Sequence, residues 1–142
     1  MNTPWLIATD GSTPSLNAVD YVIRDAASRV TKPQVFLINV QAPLSSDITR
    51  FVNGKTVEDF HREAGEAALA GAKDKLIAAG LTHLAHLLIG KAAPTIVEFA
   101  KDKGCSLIIM GAHGFGGVMG LFMGSVTAKV VHLSPLPVLL VK

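Results

Sequence analysis

Six glycines, Gly111, Gly114, Gly116, Gly117, Gly120 and Gly124, fall between Met110 and Thr127, alongside His113, Ser125 and Thr127. An apolar run, Leu107-Ile108-Ile109-Met110, leads into this segment and a helical pattern leaves it. Glycine loses more backbone freedom on folding than any other residue, so this density signals unusual torsions or a close backbone approach. A glycine loop between a buried strand and a helix N-terminus presents unpaired N–H groups beside the positive end of the helix dipole. That is chemistry suited to phosphate. The alternative is an irregular connection with no ligand. Asp10 is a lone acid in Thr9-Asp10-Gly11-Ser12, directly after another apolar run. Its carboxylate can accept from a ribose hydroxyl, hold a metal through phosphate, or only cap its own turn. His113 has no nucleophile and acid partner that the sequence places beside it. It therefore reads as a loop-ordering or phosphate-bonding residue, not a general acid–base. His83 and His86 are three apart on an expected strand and face opposite ways, so they do not suit one metal. No catalytic residue and no metal-ligand set emerges.

Two common phosphate loops are excluded by spacing. A P-loop needs a lysine directly before its Ser or Thr, and Gly124-Ser125 has none. The dinucleotide fingerprint follows the first strand, with a different glycine spacing.

The elements that must position these residues alternate. Strands are expected at Trp5 to Thr9, Val35 to Val40, His83 to Ile89, Ser106 to Met110 and Pro137 to Val141. The first helix follows Thr13, taken as its N-cap, with Val19, Val22, Ile23, Ala26 and Val30 on one face. Gln41 to Thr56 is irregular and long enough to act as a lid or a partner surface. A second helix, Val57 to Ala79, carries Phe60, Ala64, Ala68, Leu69, Ala72, Leu76 and Ala79 as its apolar face and stops at Gly80. A third runs from Ala93 to Lys103, and Ser125 caps the last. His61 and His132 are expected on helix surfaces. Short buried strands alternating with helices mean a parallel α/β sheet with right-handed crossovers. Ligands in such sheets bind beyond the carboxyl ends of the strands.

Composition bounds the rest. The chain has 142 residues, 49% hydrophobic and 17% charged, which fits one globular domain spanning 1–142. A net charge of +2 with scattered Lys and Arg argues against nucleic acid. One cysteine, Cys105, suits a reducing, cytoplasmic setting and a structural role. The N-terminus does not read as a signal peptide, and no apolar run approaches the roughly eighteen residues of a membrane span.

Gly111, two residues, Gly114, nine residues, then Gly124-Ser125 resembles the ATP-binding signature of the universal stress protein family. Asp10-Gly11-Ser12, Met110-Gly111-Ala112-His113-Gly114, Gly124-Ser125-Val126 and the ending Ser134-Pro135-Leu136-Pro137-Val138-Leu139-Leu140-Val141 are similar to further landmarks of that family. The resemblance covers essentially the whole chain. It implies a single-domain Rossmann-like α/β fold of the adenine nucleotide alpha hydrolase-like kind, with five parallel strands in the order 3-2-1-4-5 and helices on both faces. It implies ATP as the ligand, with Mg2+ as an option bound through the phosphates. Adenine would lie near Val40 and Met110. Ribose and phosphates would lie near Thr9, Asp10, Gly11, Ser12, Gly111, His113, Gly114, Gly124, Ser125, Val126 and Thr127. It implies a homodimer joined through Pro137 to Val141, an apolar edge that would invite aggregation if left unpaired. Members that bind ATP often carry a basic residue after the second glycine; here it is Phe115. The other cations in reach by sequence are Lys129, Arg50 and Lys55.

The expected role is a non-catalytic or very slowly hydrolysing ATP-binding stress-response sensor or adaptor, with a regulatory protein partner of unknown kind. One competing reading is a nucleotide hydrolase or transferase on a related fold. Another is a nucleotide-free interaction module using the apolar loop from Phe115 to Met123, since Met and Phe make an adaptable contact surface.

Overall fold

The computed structural model describes residues 3–114 and 123–142. Five strands, β1 (Trp5–Ala8), β2 (Val35–Gln41), β3 (His83–Ile89), β4 (Leu107–Gly111) and β5 (Val138–Val141), form one sheet in the order β3-β2-β1-β4-β5. Every pairing is parallel. The helices are α1 (Thr13–Ala27), α2 (Ser46–Thr49), α3 (Gly54–Ala78), α4 (Ala92–Asp102) and α5 (Ser125–Leu133).

Because side chains alternate along a strand, each central strand supplies two cores. Leu6, Ile38, Ile108 and Met110 pack with Ile96, Val97 and Ala100 of α4 and Val130 of α5. Ile7, Leu37 and Ile109 pack with Val19 and Val22 of α1 and Leu69, Ala72 and Leu76 of α3 on the other face. Both faces are covered, which is why the strands read as continuous apolar runs.

Several local expectations change. Ser12, not Thr13, is the N-cap of α1, and Pro14 then occupies the first turn. Val30 lies beyond the end of α1 and is fully exposed. The long connection is not wholly irregular: it contains α2, and α3 starts at Gly54 behind an Asn53 cap. The buried stripe of α3 is His61, Gly65, Leu69, Ala72 and Leu76, while Phe60 is 52% exposed. His61 is therefore not a surface residue. Its Nε2–H donates to the Ala42 carbonyl at 3.1 Å, tying α3 to the chain after β2. Gly80, with φ +69°, ends α3 in the left-handed conformation that glycine tolerates best.

Cys105 is buried in the α4 core, and burial pushes its thiol from an ordinary value near 9 up to about 11. At pH 8 about one thiol in a thousand is ionised, so alkylation should be slow until the chain unfolds. The shift favours the neutral thiol in the folded state. Its contribution to stability is intact below about pH 9 and is lost as pH rises towards about 11. The stability difference between the native chain and Cys105→Ala, measured by urea unfolding, should shrink across that window.

Candidate functional site

The strand order reverses between β1 and β4: β1 leads to β2 on one side, and β4 lies on the other. Such a switch point leaves a crevice at the carboxyl ends of the strands. A cavity of about 470 Å³ fills it. Its floor is apolar: Ala8, Ile38, Val40, Ala92, Ile96 and Met110. Its rim is polar: Thr9, Asp10, Ser15, Asn39, His113, Ser125 and Thr127, with Gly111, Gly114, Gly124 and Val126 completing the wall.

A hydrogen-bonded turn holds Asp10 at this rim. The Ser12 N–H donates to Asp10 Oδ1 at 2.9 Å and the Gly11 N–H to Thr9 Oγ1 at 3.1 Å. Thr9 Oγ1 in turn donates to Ser15 Oγ at 2.9 Å. The second oxygen of Asp10 lies against Gly114, where an added Cβ would collide with it. Asp10 thus caps its own turn and also faces the glycine loop. Gly11 has φ +84° and packs on the Ala68 backbone of α3, while Ser12 is consumed as the α1 cap. Neither lines the cavity, so both shape the turn from behind.

The opposite wall is pinned at both ends. Ala112 N–H donates to the Val141 carbonyl at 2.7 Å, and Gly124 N–H to the Ala112 carbonyl at 2.9 Å. Buried Thr127 donates from Oγ1 to the Gly111 carbonyl at 3.1 Å. Gly124, not Ser125, is the N-cap of α5, and it offers no side chain to the first turn. Side chains of Ser12, Ser45 and Asn53 cap α1, α2 and α3, whereas α4 and α5, which border the cavity, have no side-chain cap. The first-turn N–H groups of α5, at Ser125, Val126 and Thr127, are the orphan donors of this wall.

Eleven of the residues expected at a site meet here: Thr9, Asp10, Val40, Met110, Gly111, His113, Gly114, Gly124, Ser125, Val126 and Thr127. Sequence reasoning missed Asn39 and Ser15. Asn39 is 4% exposed; its Nδ2 donates to the Thr9 carbonyl at 2.8 Å and its Oδ1 accepts from Gln41 Nε2 at 2.6 Å. A lone amide inside Val-Phe-Leu-Ile-Asn-Val was the available signal. Asn39→Leu should leave the Thr9 carbonyl without its side-chain donor and cost about 1–3 kcal/mol, read as a lower urea midpoint.

Among the described residues, no Lys or Arg lines the cavity, Lys129, Arg50 and Lys55 included. Arg50 instead stands 3.9 Å from Asp47 in an exposed pair. No group of three or more His, Cys, Asp or Glu side chains forms a metal site among the described residues. Phe115, Val118, Met119, Leu121 and Phe122 of the apolar loop tip lie outside the described residues, while Met123 is 49% exposed. No described helix is long and apolar enough to cross a membrane.

A sequence model of the universal stress protein family matches residues 1–142. The chain belongs to that family. It is 31% identical to Universal stress protein YxiE of Bacillus subtilis over 148 aligned positions, covering all of both chains. Among solved structures of similar shape is MJ0577 of Methanocaldococcus jannaschii, with a TM-score of 0.83 and 27% identity over 100% of this chain and 96% of that one. Another is a universal stress protein in complex with cAMP, with a TM-score of 0.71 and 28% identity over 99% and 97% of the two chains. The Rossmann-like sheet order is thus shared with solved members of the universal stress protein family.

Proposed function

We propose that this universal stress protein binds an adenine nucleotide in the cavity between β1 and β4. The observation that carries the reading is one cavity with an apolar floor, a carboxylate on one rim and an uncapped helix N-terminus on the other. Those three features match a flat base, a ribose and a phosphate. The base rests on Ile38, Val40, Ile96 and Met110. Asp10 accepts from ribose hydroxyls, and the backbone of Gly111, Gly114 and the first turn of α5 receives the phosphates. The cAMP complex of a relative 28% identical along nearly the whole chain supports an adenylate over other ligands.

Within that class we propose ATP, on the strength of the glycine signature. Any Mg2+ would arrive on the phosphates, since the described residues supply no carboxylate cluster to hold it. We further propose a one-domain regulatory binder that works as a homodimer through β5. That strand pairs with β4, and the carbonyls of Pro137 and Val141 point at β4. Backbone polarity alternates along a strand, so Val138 and Leu140 present theirs at the outer edge, where a second copy can add. Sedimentation at twice the monomer mass tests the dimer.

The central test has two parts. Denaturing the purified protein and identifying released nucleotide by mass spectrometry should show an adenylate. Calorimetric titration with AMP and ATP should saturate below about 1 mM, an affinity of at least about 4 kcal/mol. No saturable heat at millimolar ligand would reject the reading. Sustained ATP turnover above about 1 s⁻¹ would favour the enzyme reading instead.

A further inference from the structure

We infer that the segment 43–53, between β2 and α3, folds over the cavity and supplies the second face of the base site, with Ile48 and Phe51 laid against the purine. This rests on the adenylate reading above. A flat base has two faces, and the apolar floor of Ile38, Val40, Ile96 and Met110 covers one. No residue of the segment lines the cavity as it stands. Yet the segment leaves from the cavity mouth: Val40 is a lining residue, and β2 ends at the next position, Gln41.

Two anchors hold its ends. His61 bonds to the Ala42 carbonyl, and Asn53 Oδ1 accepts from the Thr56 N–H at 2.8 Å as the cap of α3. Between these anchors the segment is tied only to itself. Among the described residues, the hydrogen bonds of residues 43–53 stay within 45–57, as from the Ile48 N–H to Ser45 Oγ at 3.3 Å. No residue from 42 to 60 is buried. Because α3 begins at the carboxyl ends of the strands, where the cavity opens, its residues ahead of buried His61 overhang that side by about 10 Å. Residues 43–52 can extend about 15 Å from their anchors and return.

What the segment carries is what the cavity lacks. Ile48 is 50% exposed and Phe51 84%. Laying both on a base removes apolar area from water, and a Phe ring stacks on any purine face. The same closure brings Arg50 towards a lining without Lys or Arg. Its exposed pairing with Asp47 at 3.9 Å is too weak to hold it back. Uncovered apolar side chains and an uncovered ligand face thus lie on either side of one hinge at Ala42.

The test is hydrogen exchange read by mass spectrometry on the intact chain, alone and with AMP at a concentration that calorimetry shows to saturate. Peptides within 43–56 should exchange at least about tenfold more slowly with AMP bound, because closure shields amides now open to water. Phe51→Ser, at a position too exposed to carry the fold, should weaken AMP binding about tenfold, chiefly through faster release, and remove that protection. Should Phe51→Ser lose its native circular dichroism, Ile48→Ser takes its place. Saturable heat with unchanged exchange in 43–56, or a variant that binds AMP as tightly as the intact chain, overturns the closure. Either result leaves adenylate binding standing and returns the exposed side chains to a protein partner. Absence of saturable heat with AMP, cAMP and ATP overturns both.

Discussion

One methyl group added at Gly111 is expected to cost the fold about 3 kcal/mol, the upper end of ordinary overpacking penalties. The added Cβ would stand 2.8 Å from the Pro14 carbonyl carbon and the Ser15 nitrogen. These are backbone atoms in the first turn of α1, and no rotamer change can move them. Either β4 or α1 must shift, and β4 cannot shift without disturbing the bond from Thr127 to the Gly111 carbonyl. Gly111→Ala should therefore lower the thermal midpoint by about 10 °C and weaken nucleotide binding with it. Gly71→Ala is the control. Its Cβ meets only the ends of the Leu16 side chain, at 3.2 and 3.6 Å, and alanine favours the helix by about 1 kcal/mol, so the midpoint should change little. Equal losses at the two positions would refute the argument.

Gly114→Ala should do the opposite: spare the fold and damage the site. Gly114 has no positive φ, so alanine fits its backbone. The obstacle is the Asp10 carboxylate, a side chain that can swing away. Doing so costs Asp10 its bond from the Ser12 N–H and moves the acceptor off the rim. Stability should fall by no more than about 1 kcal/mol, the scale of a weakened local cap. Affinity for AMP should fall at least about tenfold, or about 1.4 kcal/mol, by calorimetry. Unchanged affinity would remove Asp10 from the proposed ribose contact.

The inner strands β1, β2 and β4 were legible because each is a short β-branched or aliphatic run buried on both faces, and the edge strands β3 and β5, only partly buried, because Gly or Pro marks their ends. The turn at Thr9-Asp10 and the wall from Gly111 to Thr127 were legible because glycines and a lone acid stand out against apolar neighbours. The register of α3 was not. Phe60, Ala64 and Ala68 look like the buried stripe, yet the true stripe one residue on contains His61 and Gly65. A glycine carries no hydrophobic signal, but at Gly65 it makes room for Leu87 against the helix. A histidine reads as polar although its ring bonds to Ala42 from inside. Ser15 and Asn39 were missed for a related reason. Their importance lies in bonds to Thr9, and those exist only once strand ends that are distant in the chain have met.

The sheet keeps two accounts apart. Ala8, Ile38, Val40, Ile96 and Met110, which floor the cavity, belong with the α4 and α5 side; no residue of the core beneath α1 and α3 reaches the lining. Substitutions at Val19, Val22, Leu69 or Leu76 can tune heat tolerance while leaving ligand preference untouched. Substitutions at Val40 or Ile96 can change ligand preference with the opposite half intact. Divergence in what the molecule recognises and divergence in how robustly it survives can proceed as separate histories, divided by a single layer of backbone.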